Sequence, residues 1–323
     1  MSDDRPDPLA VSLAGVPLRN PVLLAAGTAG YVDELADVFD LAGVGGVVTK
    51  SITAEPRPGN ETWRVAEVPG GMLNAIGLAN VGADRFAADH ASRIVGARTT
   101  VIGSIAGHSI EEYTTVARMF DGLEAVAAVE INVSCPNVKD GASFGESPDA
   151  LRDLLAAIRP ALGRTRMIVK LPPATAGDGP TAAIVTLARA AIDAGADALT
   201  IANTVPAMAV DPRTREPRLA HITGGLSGPA VHPIAVRLVH LVTRHAAREA
   251  GVPIVAAGGV ISWREAAEFI LVGATAVEIG TALFADPRAP VRIVKGLRRW
   301  VAEQGVRSVG DLVGAVRLPG SPR

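Results

Sequence analysis

Short apolar runs recur along the chain, and stretches of mixed apolar and polar character separate nearly all of them. Runs at 21–26, 46–49, 100–105, 129–133, 167–171, 198–202, 253–257 and 276–279 are short and partly β-branched. They predict eight strands, and with no polar alternation such strands are buried on both faces. Helical patterns fall between or after them at 33–42, 83–95, 109–120, 148–162, 180–194, 229–250, 263–271 and 288–304. Residues 33–42 open on an acidic turn and stop at Gly43, the polarity expected of a helix. Ser109 followed by Glu112 has the spacing of a capping box, and Gly195 stands where a helix would end. Two stretches break the rhythm, residues 52–80 after the second strand and 205–228 after the sixth.

Eight buried strands alternating with helices predict an α/β fold, a (β/α)8 TIM barrel whose long loops after strands 2 and 6 cover the C-terminal mouth. An open doubly wound sheet has the same alternation. The count of eight, and the lack of a Gly-x-Gly-x-x-Gly after the first strand, favour the barrel. No linker divides the chain, so 1–323 reads as a single domain.

Composition narrows the chemistry. With 323 residues, 48% hydrophobic, the chain can bury a large core. A net charge of −2 points away from nucleic acid and anionic membranes. One cysteine cannot form an intrachain disulfide or ligate an Fe–S cluster unaided. The first ten residues lack the apolar core of a signal peptide, no apolar run is long enough to span a bilayer, and a cytoplasmic location is expected. The histidines show no metal spacing, so no metal is expected.

Polar residues gather at the strand ends. Lys50, Asn132, Lys170, Asn203 and Thr204 fall there, as do Gly258-Gly259 and Gly280-Thr281. The last two pairs follow strands 7 and 8, the usual phosphate position of such barrels; the bland reading of each is a tight turn. Lys170 lies inside an apolar strand, and a buried ammonium needs an anionic partner. A phosphate-bearing cofactor or a reduced flavin would supply one. Cys135 sits in a polar Ser-Cys-Pro-Asn loop rather than a core, which suits a reactive thiol.

The run Asn132-Val133-Ser134-Cys135-Pro136-Asn137-Val138-Lys139 resembles the active-site loop of dihydroorotate dehydrogenases. Thr49-Lys50-Ser51, Asn74-Ala75-Ile76-Gly77-Leu78, Val169-Lys170-Leu171-Pro172-Pro173, Ala202-Asn203-Thr204, Gly224-Gly225-Leu226-Ser227-Gly228-Pro229, Ala257-Gly258-Gly259 and Ile279-Gly280-Thr281-Ala282 agree with that family in order and content. Together they cover about residues 10–310. Two positions depart from the family pattern: Ala26 stands where serine is usual, and Ala207 where glycine is common.

The resemblance implies an FMN-containing barrel that oxidises (S)-dihydroorotate to orotate in pyrimidine (UMP) synthesis. Cysteine as general base looks like class 1, and the Asn-Ala-Ile-Gly-Leu and Gly-Gly-Leu-Ser-Gly-Pro segments look like class 1B. By resemblance, Cys135 is the catalytic base. Lys50, Asn74, Ala75, Ile76, Gly77, Leu78, Asn132, Asn203 and Thr204 bind substrate. Ala26, Lys50, Ser51, Ser104, Asn132, Lys170, Ala202, Gly228, Gly258, Gly259, Gly280 and Thr281 hold FMN. Class 1B further implies NAD as acceptor, reached through a partner subunit carrying FAD and a [2Fe-2S] cluster, and a homodimer that becomes a heterotetramer with that subunit. The alternatives are a class 1A enzyme that reduces fumarate, a flavoprotein like the flavin domain of dihydropyrimidine dehydrogenase, a catalytically silent flavoprotein scaffold, and a flavin-free barrel aldolase or isomerase using a lysine.

Overall fold

The computed structural model describes residues 7–134 and 144–320. Eight parallel strands close into a barrel: β1 (Val22–Leu24), β2 (Gly46–Val48), β3 (Thr100–Ile105), β4 (Val126–Asn132), β5 (Arg166–Lys170), β6 (Ala198–Ile201), β7 (Ile254–Ala257) and β8 (Ala274–Ile279). They run in sequence order around it, with β8 paired to β1. The expected (β/α)8 architecture is therefore the observed one.

The interior is layered by the two-residue period of a strand. Leu23, Val48, Ile102, Ala128, Ile168, Ala198, Val255 and Ala276, one from each strand, meet in an apolar cluster. A hairpin of Val11–Leu13 and Val16–Leu18, which the hydrophobic pattern did not reveal, adds Leu13, Val16 and Leu18 to that cluster and plugs the N-terminal end. Two residues further along the strands the layer turns polar: Ser104, Glu130, Lys170, Thr200 and Glu278 are all buried. The opposite faces of the strands pack against the helices in a second, larger core.

The helices follow the expected positions with informative exceptions. Residues 33–42 do not form an α-helix; only Leu41–Gly43 closes, as a 3-10 turn. Carboxylates there compete for the backbone. Glu34 accepts from the N–H groups of Tyr31 and Val32, and Asp40 accepts from Ala42 N–H. Such local bonds offer the chain an alternative to a helical nucleus. In the helix Ile110–Asp121, Ser109 accepts from Glu112 N–H as expected, while the Glu112 carboxylate caps His108 N–H. The pattern at 229–250 is one helix in outline, broken locally into His232–Val242, a π turn Thr243–Ala247 and Arg248–Ala250.

The two long excursions meet over the mouth. Strands Val65–Val68 and Gly71–Asn74 come from the first, and Val205–Met208 and Thr223–Ser227 from the second. They form one four-stranded antiparallel sheet in which Asn74 lies opposite Gly225 and Leu73 opposite Leu226.

Candidate functional site

Between this roof and the barrel mouth lies a cavity of about 1170 Å³, counted out to its opening. Twelve of the residues marked in the sequence line it: Ala26, Asn74, Ile76, Lys170, Ala202, Asn203, Thr204, Gly228, Gly258, Gly259, Gly280 and Thr281. Lys50, Ser51, Ala75, Gly77, Leu78, Ser104 and Asn132 stand outside its lining. Ser51 and Ser104 are hydrogen-bonded to each other at 2.8 Å. Cys135 lies outside the described residues.

The glycine turns after β7 and β8 form one wall. Gly258 and Gly259 have φ of +138° and +70°. A Cβ on Gly258 would lie 2.8 Å from Ala235 Cβ, and one on Gly259 2.7 Å from the Gly228 carbonyl oxygen. These positions require glycine, and they leave backbone facing the cavity. His232 braces the turn, with Nδ1 at 3.0 Å from the Gly258 carbonyl and Nε2 at 3.1 Å from Glu268. Gly280 is more open, its nearest neighbour to an added Cβ being Ala25 at 3.5 Å.

The amides are oriented by a chain of hydrogen bonds. Thr204 N–H donates to Asn203 Oδ1 at 2.8 Å, so Asn203 turns its Nδ2 toward Asn132 and donates to Oδ1 at 3.1 Å. Asn132 Oδ1 also accepts from Ser134 N–H, which leaves its Nδ2 as a donor. The end of β4 is fixed from outside, because the buried Tyr113 hydroxyl donates to the Asn132 carbonyl at 2.6 Å. In the roof, Asn74 donates to the Gly225 carbonyl at 3.0 Å. Asn60 donates from Nδ2 to Ala75 O and from its backbone to Ile76 O, holding the Asn74–Leu78 bend.

The cavity floor holds the strongest electrostatics. Lys170 Nζ lies 2.7 Å from Glu278 Oε2 and 3.3 Å from Glu130 Oε1, and Thr200 Oγ1 donates to Glu130 Oε2 at 2.8 Å. The anionic partners of the buried lysine are thus protein carboxylates, supplied by β4 and β8. Burial, then repulsion from Glu130, pushes the Glu278 carboxyl up to about 8. Against the same burial, the two carboxylates hold Lys170 above the usual lysine range. Both glutamates escaped the sequence reading, yet each interrupts an apolar strand as Lys170 does. At the mouth, burial and the neighbouring Arg64 guanidinium lower the Lys50 pKa. Among the described residues the Lys50 side chain has no ion-pair partner.

Comparison with known proteins agrees with this geometry. The dihydroorotate dehydrogenase family model matches residues 8–301. The chain is 44% identical to the dihydroorotate dehydrogenase B (NAD(+)) catalytic subunit of Geobacter sp. (strain M21), over 97% of this chain and 99% of that one. It is 47% identical to the protein of the same description from Pelobacter propionicus, again over 97% and 99%. A solved structure, DHODH in complex with ferulenol from Eimeria tenella, aligns at TM-score 0.77 and 23% identity, covering 97% of this chain and 90% of that one; it bears on the fold alone. With the family matched from the N-terminal hairpin through the last strand, this chain belongs to the dihydroorotate dehydrogenase family.

Proposed function

We propose that this chain oxidises (S)-dihydroorotate to orotate in pyrimidine biosynthesis, using FMN, and passes the electrons to NAD through a partner subunit. One observation supports the reading above others: the cavity joins the glycine turns after β7 and β8 to Asn74, Asn203, Thr204 and Lys170 in one space. The residues fit FMN. Gly258, Gly259 and Gly280 leave backbone where a phosphate would be cradled. Lys170 has three N–H donors and two carboxylate partners in view, so one donor remains for the cavity. Ala26 opens onto the same space and would contribute backbone only. When bound, FMN supplies the two-electron acceptor; binding, orientation and proton transfer fall to the chain. Lys50, Ser51, Ser104, Asn132, Ala202, Gly228 and Thr281 complete the set proposed to hold it.

Dihydroorotate is an anion with an imide edge. Lys50 and Arg64, two cations near enough for Arg64 to lower the Lys50 pKa, suit its carboxylate. Asn74, Asn132, Asn203 and Thr204 suit its ring, with the Ala75–Leu78 bend closing over it. Oxidation requires loss of a proton from C5, and Cys135 is the proposed base. Asn132, the last residue of β4, and Ser134 precede it in the chain, and Asn132 belongs to the amide chain described above, which supports this reading.

The NAD-linked acceptor draws on the names of the two relatives above, each a catalytic subunit. The chain carries no dinucleotide fingerprint and a single cysteine, so a lone chain is expected to reduce a dye, with little NAD reduction. Supplying the purified chain with dihydroorotate and either NAD, fumarate or an artificial dye tests this. NAD activity should appear only with an FAD- and Fe–S-bearing partner. Brisk fumarate reduction would move the assignment to class 1A, and brisk NAD reduction by the chain alone would end the partner proposal. No helix among the described residues is long and apolar enough to cross a membrane.

A second expectation concerns the cradle. Gly259→Ala forces a side chain into positive φ against the Gly228 carbonyl, at a cost above about 1 kcal/mol. The variant should lose FMN on gel filtration under conditions where the parent stays yellow. Retention equal to that of the parent would remove this turn from the cofactor site.

A further inference from the structure

The barrel strands carry four charged residues. Arg166, at the N-terminal end of β5, is exposed and pairs with Asp197. The other three, Glu130 on β4, Lys170 on β5 and Glu278 on β8, meet in the interior, with the Thr200 hydroxyl of β6 as their neutral neighbour. Strands β1, β2, β3 and β7 contribute no charged residue. Two carboxylates therefore face one ammonium, each of the three side chains at most 9% exposed. Fully ionised, this group would bury a net negative charge, and buried like charges disfavour double ionisation. The group is not sealed from the site: Lys170 and Glu278 both line the cavity.

We propose that Glu130 and Glu278 hold one proton between them, and that by gaining or losing it they set how much positive charge Lys170 presents to bound FMN, making Glu278 a positioning residue for the cofactor's redox potential. This rests on the FMN reading above. Geometry supplies the coupling, because Lys170 touches both carboxylates and also faces the cavity. The raised Glu278 carboxyl, near pH 8, places the exchange within a working range.

The balance is as follows. Reduction of FMN consumes two electrons and one proton and leaves a negative charge on the cofactor. That charge raises the proton affinity of Glu278. Below about pH 8 Glu278 already holds its proton, and reduction takes up one proton in all. Above it, reduction takes up a second proton from solvent, which ends on Glu278. Two protons per two electrons, rather than one, double the slope of potential against pH. The steep segment lies between the Glu278 pKa of the oxidised and of the reduced holoenzyme.

The experiment is a spectroelectrochemical titration of the FMN-loaded chain from about pH 6 to about pH 10. The parent should show a slope that doubles above about pH 8. Glu278→Gln should show a single shallow slope throughout and a higher potential than the parent at alkaline pH. Glu130→Gln should move the break to lower pH, since it removes the neighbour that helps raise Glu278. A merely structural role for these carboxylates would leave the break in place. An unbroken slope in the yellow parent, or an unchanged break in Glu278→Gln, overturns the proposal, and the parent measurement decides it even if a variant fails to fold. A chain that emerges colourless and takes up no added FMN would overturn the FMN reading and this inference with it.

Discussion

Replacing Cys135 with alanine is expected to leave FMN bound and to slow its reduction by dihydroorotate about 10²–10⁴-fold, the usual weight of a general base. The substrate's C5 proton must leave as the ring is oxidised. The cavity lining offers amides, hydroxyls and a lysine paired with Glu130 and Glu278. Among the described lining residues Glu278 is the one carboxyl, and with its pKa raised to about 8 it holds its proton near neutrality, on the cavity floor and bonded to Lys170. The thiol is the better candidate, with an intrinsic pKa near ~8.5 that yields thiolate without extreme tuning. Its chain neighbours support this, because Asn132 closes β4 and is bonded to both Ser134 N–H and Asn203, which lines the cavity. Cys135→Ser should retain some rate, displaced to higher pH, because a hydroxyl is a poorer base. Stopped-flow bleaching of the flavin across pH measures both variants. Reduction at near-normal rate in the alanine variant would remove Cys135 from the mechanism.

Lys170→Ala is expected to cost about 3–5 kcal/mol of stability near neutral pH, since it leaves the buried negative charge that Glu130 and Glu278 share with no cation beside it. The loss should depend on pH. Glu278 has a folded pKa raised to about 8, above its ordinary 4.5. Its contribution to stability is thus present below the ordinary carboxylate range and lost as pH rises through about 8. Removing Lys170 removes the one neighbour that holds this value down, so the penalty for ionising the pair grows. The deficit in urea midpoint should be larger at about pH 9 than at about pH 6. The same variant should hold FMN more weakly or at a lower potential, because a cation facing the cavity is gone. A pH-independent deficit, with FMN retention and potential unchanged, would contradict the role assigned to Lys170.

Much of this architecture is legible in the sequence. The strands announced themselves because buried parallel strands are short, continuous apolar runs with no second interpretation once helices separate them. The cavity-facing glycines after β7 and β8 were legible because strand number sets position in a barrel. Residues 33–42 misled because helical spacing is silent about carboxylates that fold back on the backbone, as Glu34 and Asp40 do. The hairpin Val11–Leu13 with Val16–Leu18 was missed because strands of three residues carry almost no periodic signal. Glu130 and Glu278 are a different kind of miss. The charges in Val129-Glu130-Ile131 and Val277-Glu278-Ile279 interrupt apolar strands just as Lys170 does, and carry the same meaning. Pairing a lone buried cation with every buried anion at the same strand depth would have found them.

The sheet that roofs the cavity also bears on how the protein comes to be folded. Its central pairing joins Asn74 to Gly225, 151 residues apart in the chain. Contacts of that separation form only after a large loop has been closed, at an entropic cost that local contacts do not meet. Strands β2 and β6, which launch the two excursions, are brought into place by the barrel itself. The roof's central pairing is thus placed to form late, and on a ribosome it cannot form until Thr223–Ser227 has emerged. A nascent chain stalled short of that strand would present Gly71–Asn74 with an unpaired edge, the kind of surface that invites aggregation or a chaperone.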